Sequence, residues 1–313
     1  MKNKSGYRIV LEDCMSVKKD EKVLILTDDN KLEIGKSLYE EAKELAKEAI
    51  LLVMKPRGVS GEEPPKVVAE AMKNFDVIIC PTSTSLTHTN AKINAVAEGA
   101  RLASMPGITK DMFEEGAITA DYNEVEVLTL KFTDILTKAK KAKIVKENYV
   151  LEMDLEGRDG IPSTGIYKKP GESGNLPSGE AYIAPLEDSV NGEMLIDGSM
   201  VGVGKLSSSL YVKIQDGKLV ELTGKDSDKL EILFDNERNR TVGELGIGTN
   251  HAARLTGVIL EDEKIYGTVH IAFGTNTSFG GTNKADCHLD GIILNPTLYL
   301  DDQLVIDEGN VIV

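Results

Sequence analysis

The first hydrophobic run, KVLIL at 22–26, stops at the polar turn TDDN. A short apolar run closed by a turn signal predicts a buried strand. The next stretch, KLEIGKSLYEEAKELAKEAI, spaces Ile34, Leu38, Leu45 and Ala49 near helical intervals among Lys and Glu, which predicts an amphipathic helix. ILLVM at 50–54 returns to a strand, closing one βαβ unit. A second unit runs from a helix around KVVAEAMKN to the strand DVIIC at 76–80, and on through NAKINAVAEGARL toward ASMPG. Strands alternating with helices predict an α/β fold, with a doubly wound parallel sheet over residues 1–150.

The pattern changes after residue 150, where most of the 29 glycines fall and helical periodicity fades. GEMLIDGSMVGVG, SSLYVKIQDGKLVELTG and KIYGTVHIAFG read as strands cut by Gly and Asp-Gly turns. Residues 151–313 are therefore expected to form a β-rich α+β domain, with DSDKLEILFDN its only internal helix. GRDGIPSTGIYKKPGESGNLPSGE, 157–180, reads as one long loop, and KAKKAK at 138–143 as the solvated end of a helix.

Composition removes several function classes. A net charge of −15, from 51 acidic against 36 basic residues, repels phosphate backbones and anionic lipid, so no nucleic-acid partner is expected. No apolar run approaches the length of a membrane span, and the charged N-terminus lacks a signal-peptide core, so a cytoplasmic protein without a membrane partner is expected. Three scattered cysteines give neither a disulfide framework nor a zinc finger. No glycine-rich nucleotide fingerprint is present.

Chemistry gathers in the second half, where three of the four histidines lie. In HLDGI, His288 and Asp290 project from one face of a strand, and in GTVHIAFG, His270 lies opposite Val269, Ile271 and Phe273. Imidazole on an apolar strand is costly to bury without a partner. Glu180 in PSGEAYIAP and Glu244 in TVGELGIGTN are flanked by small or apolar residues rather than by counter-charges. These five carboxylate and imidazole groups suit zinc, cobalt or manganese, and a set of five can hold two divalent ions. In the first half, His88 in CPTSTSLTHTNA sits on a Ser/Thr-rich loop at the carboxyl end of a strand, where open α/β sheets bind ligands, although Thr87 or Thr89 there also suits a helix N-cap.

SGEAYIAP, GELGIGTN, VHIAFG and HLDGI together resemble the aminopeptidase T group of metallo-aminopeptidases, over most of the chain. The resemblance implies two divalent metals held by Glu180, Glu244, His270, His288 and Asp290, a peptide substrate and a homodimer. It departs from that group in length and in having Thr277 where the peptidases carry a catalytic tyrosine. A shorter branch, the ring-cleaving dioxygenases of 2,5-dihydroxypyridine, is similar too. It uses one Fe(II) on two histidines and a carboxylate, a role open to His288 and Asp290, with a first-domain histidine assisting the substrate as His88 could. Because both Glu180 and Glu244 are retained, the expectation is a hydrolase, a dinuclear aminopeptidase in which Glu180 or Glu244 shares proton transfer. The alternatives are the dioxygenase and a non-catalytic metal-binding relative.

Overall fold

The computed structural model describes residues 4–313, which fall into two compact units. One comprises the chain up to Asn123 together with Gly165–Ser178; the other comprises Glu124–Thr164 and Gly179–Val313. The change of texture near residue 150 thus lies inside the second unit.

In the first unit, strands β1 (Lys22–Asp28), β2 (Glu48–Met54), β3 (Val77–Thr82) and β4 (Arg101–Pro106) pair in parallel in the order β2-β1-β3-β4. All six residues of β3 and the last six of β1 are buried, as expected of a parallel sheet covered on both faces. Helix α1 (Leu32–Leu45) buries Ile34, Leu38 and Ala42. It ends earlier than its periodicity suggests: Ala46 turns extended, and Ala49 is taken into β2, paired with Val23. Helices α2 (Lys66–Met72) and α3 (Asn90–Ala97) follow the expected segments. The Thr89 hydroxyl caps α3 by accepting from the Lys92 amide.

The segment expected as one loop is not one. Ser173–Asn175 forms a fifth parallel strand, β5, on the open edge of β4, with Leu102 opposite Ser173. Backbone pairing at a sheet edge needs no apolar side chains, so Ser-Gly-Asn carries no strand signal.

The second unit opens with the body of helix α4 (Tyr122–Lys138). KAKKAK spans the end of α4 and the start of a strand, Lys141–Lys146, in which Ala142 and Ile144 are buried. Two antiparallel sheets follow, of eight and seven strands. They share one core: Ile144, Leu151, Met194 and Val212 of the first join Ile183, Leu245, Ile271 and Leu289 of the second, with Phe132 and Leu136 from α4. The expected internal helix shrinks to Ser227–Glu231, and a four-residue helix, Ile259–Asp262, adds to it. No helix of the described residues is long and apolar enough to cross a membrane.

Candidate metal centre

Four adjacent strands of the seven-stranded sheet build the centre: β6 (Glu180–Ile183), β7 (Val242–Gly248), β8 (Val269–Gly274) and β9 (His288–Ile293). Their side chains alternate between two faces. Ala181, Ile183, Leu245, Ile247, Val269, Ile271, Phe273, Leu289 and Ile293 enter the core, which leaves Glu180, Glu244, His270, His288 and Asp290 on the other face. Register brings them together. Ala272 pairs with both Glu244 and Asp290, Gly246 with His270, Gly248 with Glu180, and Gly274 with His288. Gly246 makes room for an imidazole, because a Cβ there would stand 1.9 Å from His270 Nε2.

Glu244 is the hub. Its Oε1 lies 3.4 Å from His270 Nε2 and its Oε2 lies 3.3 Å from His288 Nε2. His288 Nε2 is also 3.3 Å from Asp290 Oδ1, and His270 Nε2 is 3.5 Å from Glu180 Oε2. Two overlapping donor groups result, Glu180–Glu244–His270 and Glu244–His288–Asp290. His288 Nδ1 lies 2.9 Å from the Thr275 carbonyl; donating there fixes the tautomer that turns Nε2 toward the carboxylates, as a metal-ligating histidine requires. His270 Nδ1 is buried without a hydrogen-bond partner.

Sequence reasoning missed Lys264. It is fully buried, and its Nζ donates to Glu180 Oε1 at 2.5 Å and also to Glu263. In EDEKIYG a lysine among acids looks like a solvated face, so nothing local marks it. Burial pushes the Glu263 carboxyl up to about 8, and repulsion from Glu180 and Asp290 adds to this against the pull of Lys264. Burial works against the Lys264 ammonium, but Glu180 and Glu263 overcome it and raise its pKa. Burial would also raise Glu244, yet its bonds from His270 and His288 hold it at about 2. For the imidazoles burial disfavours charge, and the carboxylates reverse that. Glu244, Glu180 and Asp290 lift His270 to about 9, and Asp290 and Glu244 lift His288 well above its ordinary value.

Three carboxylates, Glu180, Glu244 and Asp290, face two imidazoles and the Lys264 ammonium, a set that a divalent cation with neutral imidazoles can join. The buried oxygen and nitrogen donors fit a first-row divalent ion such as Fe(II), Zn or Mn.

The remaining sequence candidates lie elsewhere or play other parts. His88 is exposed in the first unit, on the turn before α3. His251 is exposed and stacks on Tyr266 with ring centroids 3.9 Å apart. Cys287 packs against the core. Thr277 is exposed on a helical turn, Thr277–Phe279. That turn presents Phe279 edge-on to His288, at 6.1 Å, and to Tyr182, at 5.3 Å.

A family model described as NicX, 2,5-dihydroxypyridine 5,6-dioxygenase, matches residues 4–313. The chain belongs to that family. A 2,5-dihydroxypyridine 5,6-dioxygenase of Pseudomonas putida is 28% identical over 171 residues, 49% of this chain and 48% of the relative. The alignment thus spans about half the length of that curated relative. Among solved structures, the 2,5-dihydroxypyridine dioxygenase of Pseudomonas putida superposes with a TM-score of 0.78 at 18% identity, covering 98% of this chain and 96% of that one. AmpT from Thermus thermophilus superposes with a TM-score of 0.74 at 16% identity, covering 98% of each chain. Both likenesses show the fold.

The expectation of a metallo-aminopeptidase, a hydrolase acting on peptides, is thereby corrected. The NicX match covers nearly the whole chain, whereas the link to a peptidase is a shared fold. Retained carboxylates are not a mark of hydrolysis. Donors of these types serve either chemistry, and Glu180 already has a cationic partner in Lys264.

Proposed function

We propose that this chain is an Fe(II)-dependent ring-cleaving dioxygenase acting on 2,5-dihydroxypyridine or a closely similar dihydroxylated ring. The observation that carries the reading is the NicX match over residues 4–313, joined to a buried set of imidazoles and carboxylates suited to Fe(II). His270, His288 and Asp290 would hold the ion, with Glu244 between the two imidazoles. Bound Fe(II) would supply the one-electron chemistry that lets dioxygen react with an electron-rich ring. Thr275 holds the His288 ring in its ligating tautomer. Phe279 and Tyr182 form an aromatic edge beside His288 against which a planar substrate can lie. His88 is proposed as the acid–base group that assists the substrate, a role resting on the family resemblance. The homodimer is carried over on the same ground, and light scattering tests it.

The test is anaerobic reconstitution with Fe(II) followed by oxygen uptake with 2,5-dihydroxypyridine. We expect one O2 consumed per ring lost, followed by the fall in ring absorbance. Fully iron-loaded protein that consumes no oxygen with this ring, or with close dihydroxypyridine analogues, overturns the proposal.

A further inference from the structure

We propose that Lys264 is a fixed internal cation that takes the place of a second metal ion and restricts this centre to one. The inference rests on metal binding by the cluster, which belongs to the function proposed above, but not on ring cleavage. The two donor groups share Glu244 and look alike in composition. They differ in what else touches them. Glu244 and Asp290 contact imidazoles, and an imidazole can surrender its proton and become a ligand. Glu180 also faces an imidazole, its Oε2 lying 3.5 Å from His270 Nε2, but it gives its other oxygen to the Lys264 ammonium, which is fully buried between Glu180 and Glu263. An ammonium has no lone pair to offer, and its charge repels a dication on the far side of the same carboxylate.

The fold builds this contact in. Gly248 is the register partner of Glu180 on β7, and a Cβ there would stand 2.0 Å from the Ile265 carbonyl. Without one, the backbone of Lys264 and Ile265 lies directly on the strand end, tied by the Asn250 amide to the Lys264 carbonyl at 2.9 Å. Lys264 is thereby held against Glu180 by main-chain packing. Glu180 is then a counter-ion to lysine rather than a metal ligand, and His270 is left to the single ion. A dication replacing Lys264 would need Glu180 to change partners.

The test is metal stoichiometry on anaerobically purified protein, with Fe(II) and with Co(II) as a spectroscopic probe. Wild type is expected to saturate at one ion per chain, and Glu180→Gln to keep that ion at saturation. Lys264→Met is expected to take up a second ion, doubling the count, and Lys264→Arg to stay at one. Two ions in wild type, loss of the ion in Glu180→Gln, or a folded Lys264→Met that stays at one each overturns the proposal. Should Lys264→Met fail to fold, Lys264→Gln, which also removes the charge, is expected to take up the second ion in its place, and a folded Lys264→Gln that stays at one overturns the proposal. A protein with one ion and no ring cleavage would sink the proposed reaction and leave this inference standing.

Discussion

Loading the centre with metal should expel protons, because the imidazoles that bind metal as neutral ligands are protonated without it. His270 has a pKa of about 9 and His288 is raised as well, both by the surrounding carboxylates. Each pKa unit corresponds to about 1.4 kcal/mol, so freeing His270 alone at pH 7 costs about 3 kcal/mol of metal-binding energy. The depressed Glu244 expresses the same coupling and is not counted again. The sign follows from the raised values: protons are held below them and released as pH rises through them. Release from His270 alone makes apparent affinity rise about tenfold per pH unit up to about pH 9, and release from His288, raised in the same direction, steepens that rise. Calorimetry in buffers of different ionisation enthalpy gives the proton count directly. The same raised pKa stabilises the metal-free protein fully below about 6.5, and that contribution disappears as pH passes about 9. Thermal melts of metal-free protein should therefore fall between those limits, while metal-loaded protein should not follow. A proton count near zero, or an affinity flat across this range, would show that the imidazoles are neutral without metal and refute the reasoning.

Other perturbations separate the parts of the site. Gly246→Ala places a Cβ 1.9 Å from His270 Nε2 and must displace the ring, so metal affinity should drop at least tenfold, about 1.4 kcal/mol, as read by titration with Co(II). Phe279→Ala removes the ring beside His288 and should raise KM for the dihydroxylated ring with metal content unchanged; an unaltered KM would remove Phe279 from substrate contact. His88→Gln should lower turnover by roughly 10²–10⁴-fold if the residue moves a proton, with full metal loading retained. Unchanged turnover would end its proposed role.

Much of the first unit was legible because β1 and β3 are buried on both faces and read as continuous apolar runs. β5 was not, since Ser-Gly-Asn joins the sheet through its backbone alone, far along the chain from β4. At the metal centre, the alternation of a strand placed His288 with Asp290 and kept His270 off the apolar face, as observed. Lys264 was invisible because its contact with Glu180 arises from packing at Gly248, between residues 84 apart. The chemistry itself was misjudged for a related reason: residue types define a donor set, whereas the balance of buried charge around it is a property of the folded chain.

Synthesis from the N-terminus gives β5 a consequence for folding in the cell. When Asn123 leaves the ribosome, all four longer strands of the parallel sheet exist, but the outer edge of β4 has nothing to pair with until Ser173–Asn175 follow. At about 5–20 residues per second, that edge waits several seconds while the first part of the second unit emerges. Exposed strand edges recruit other strands, so the nascent chain passes through a period of aggregation risk at β4 that ends when Ser173–Asn175 pair with it.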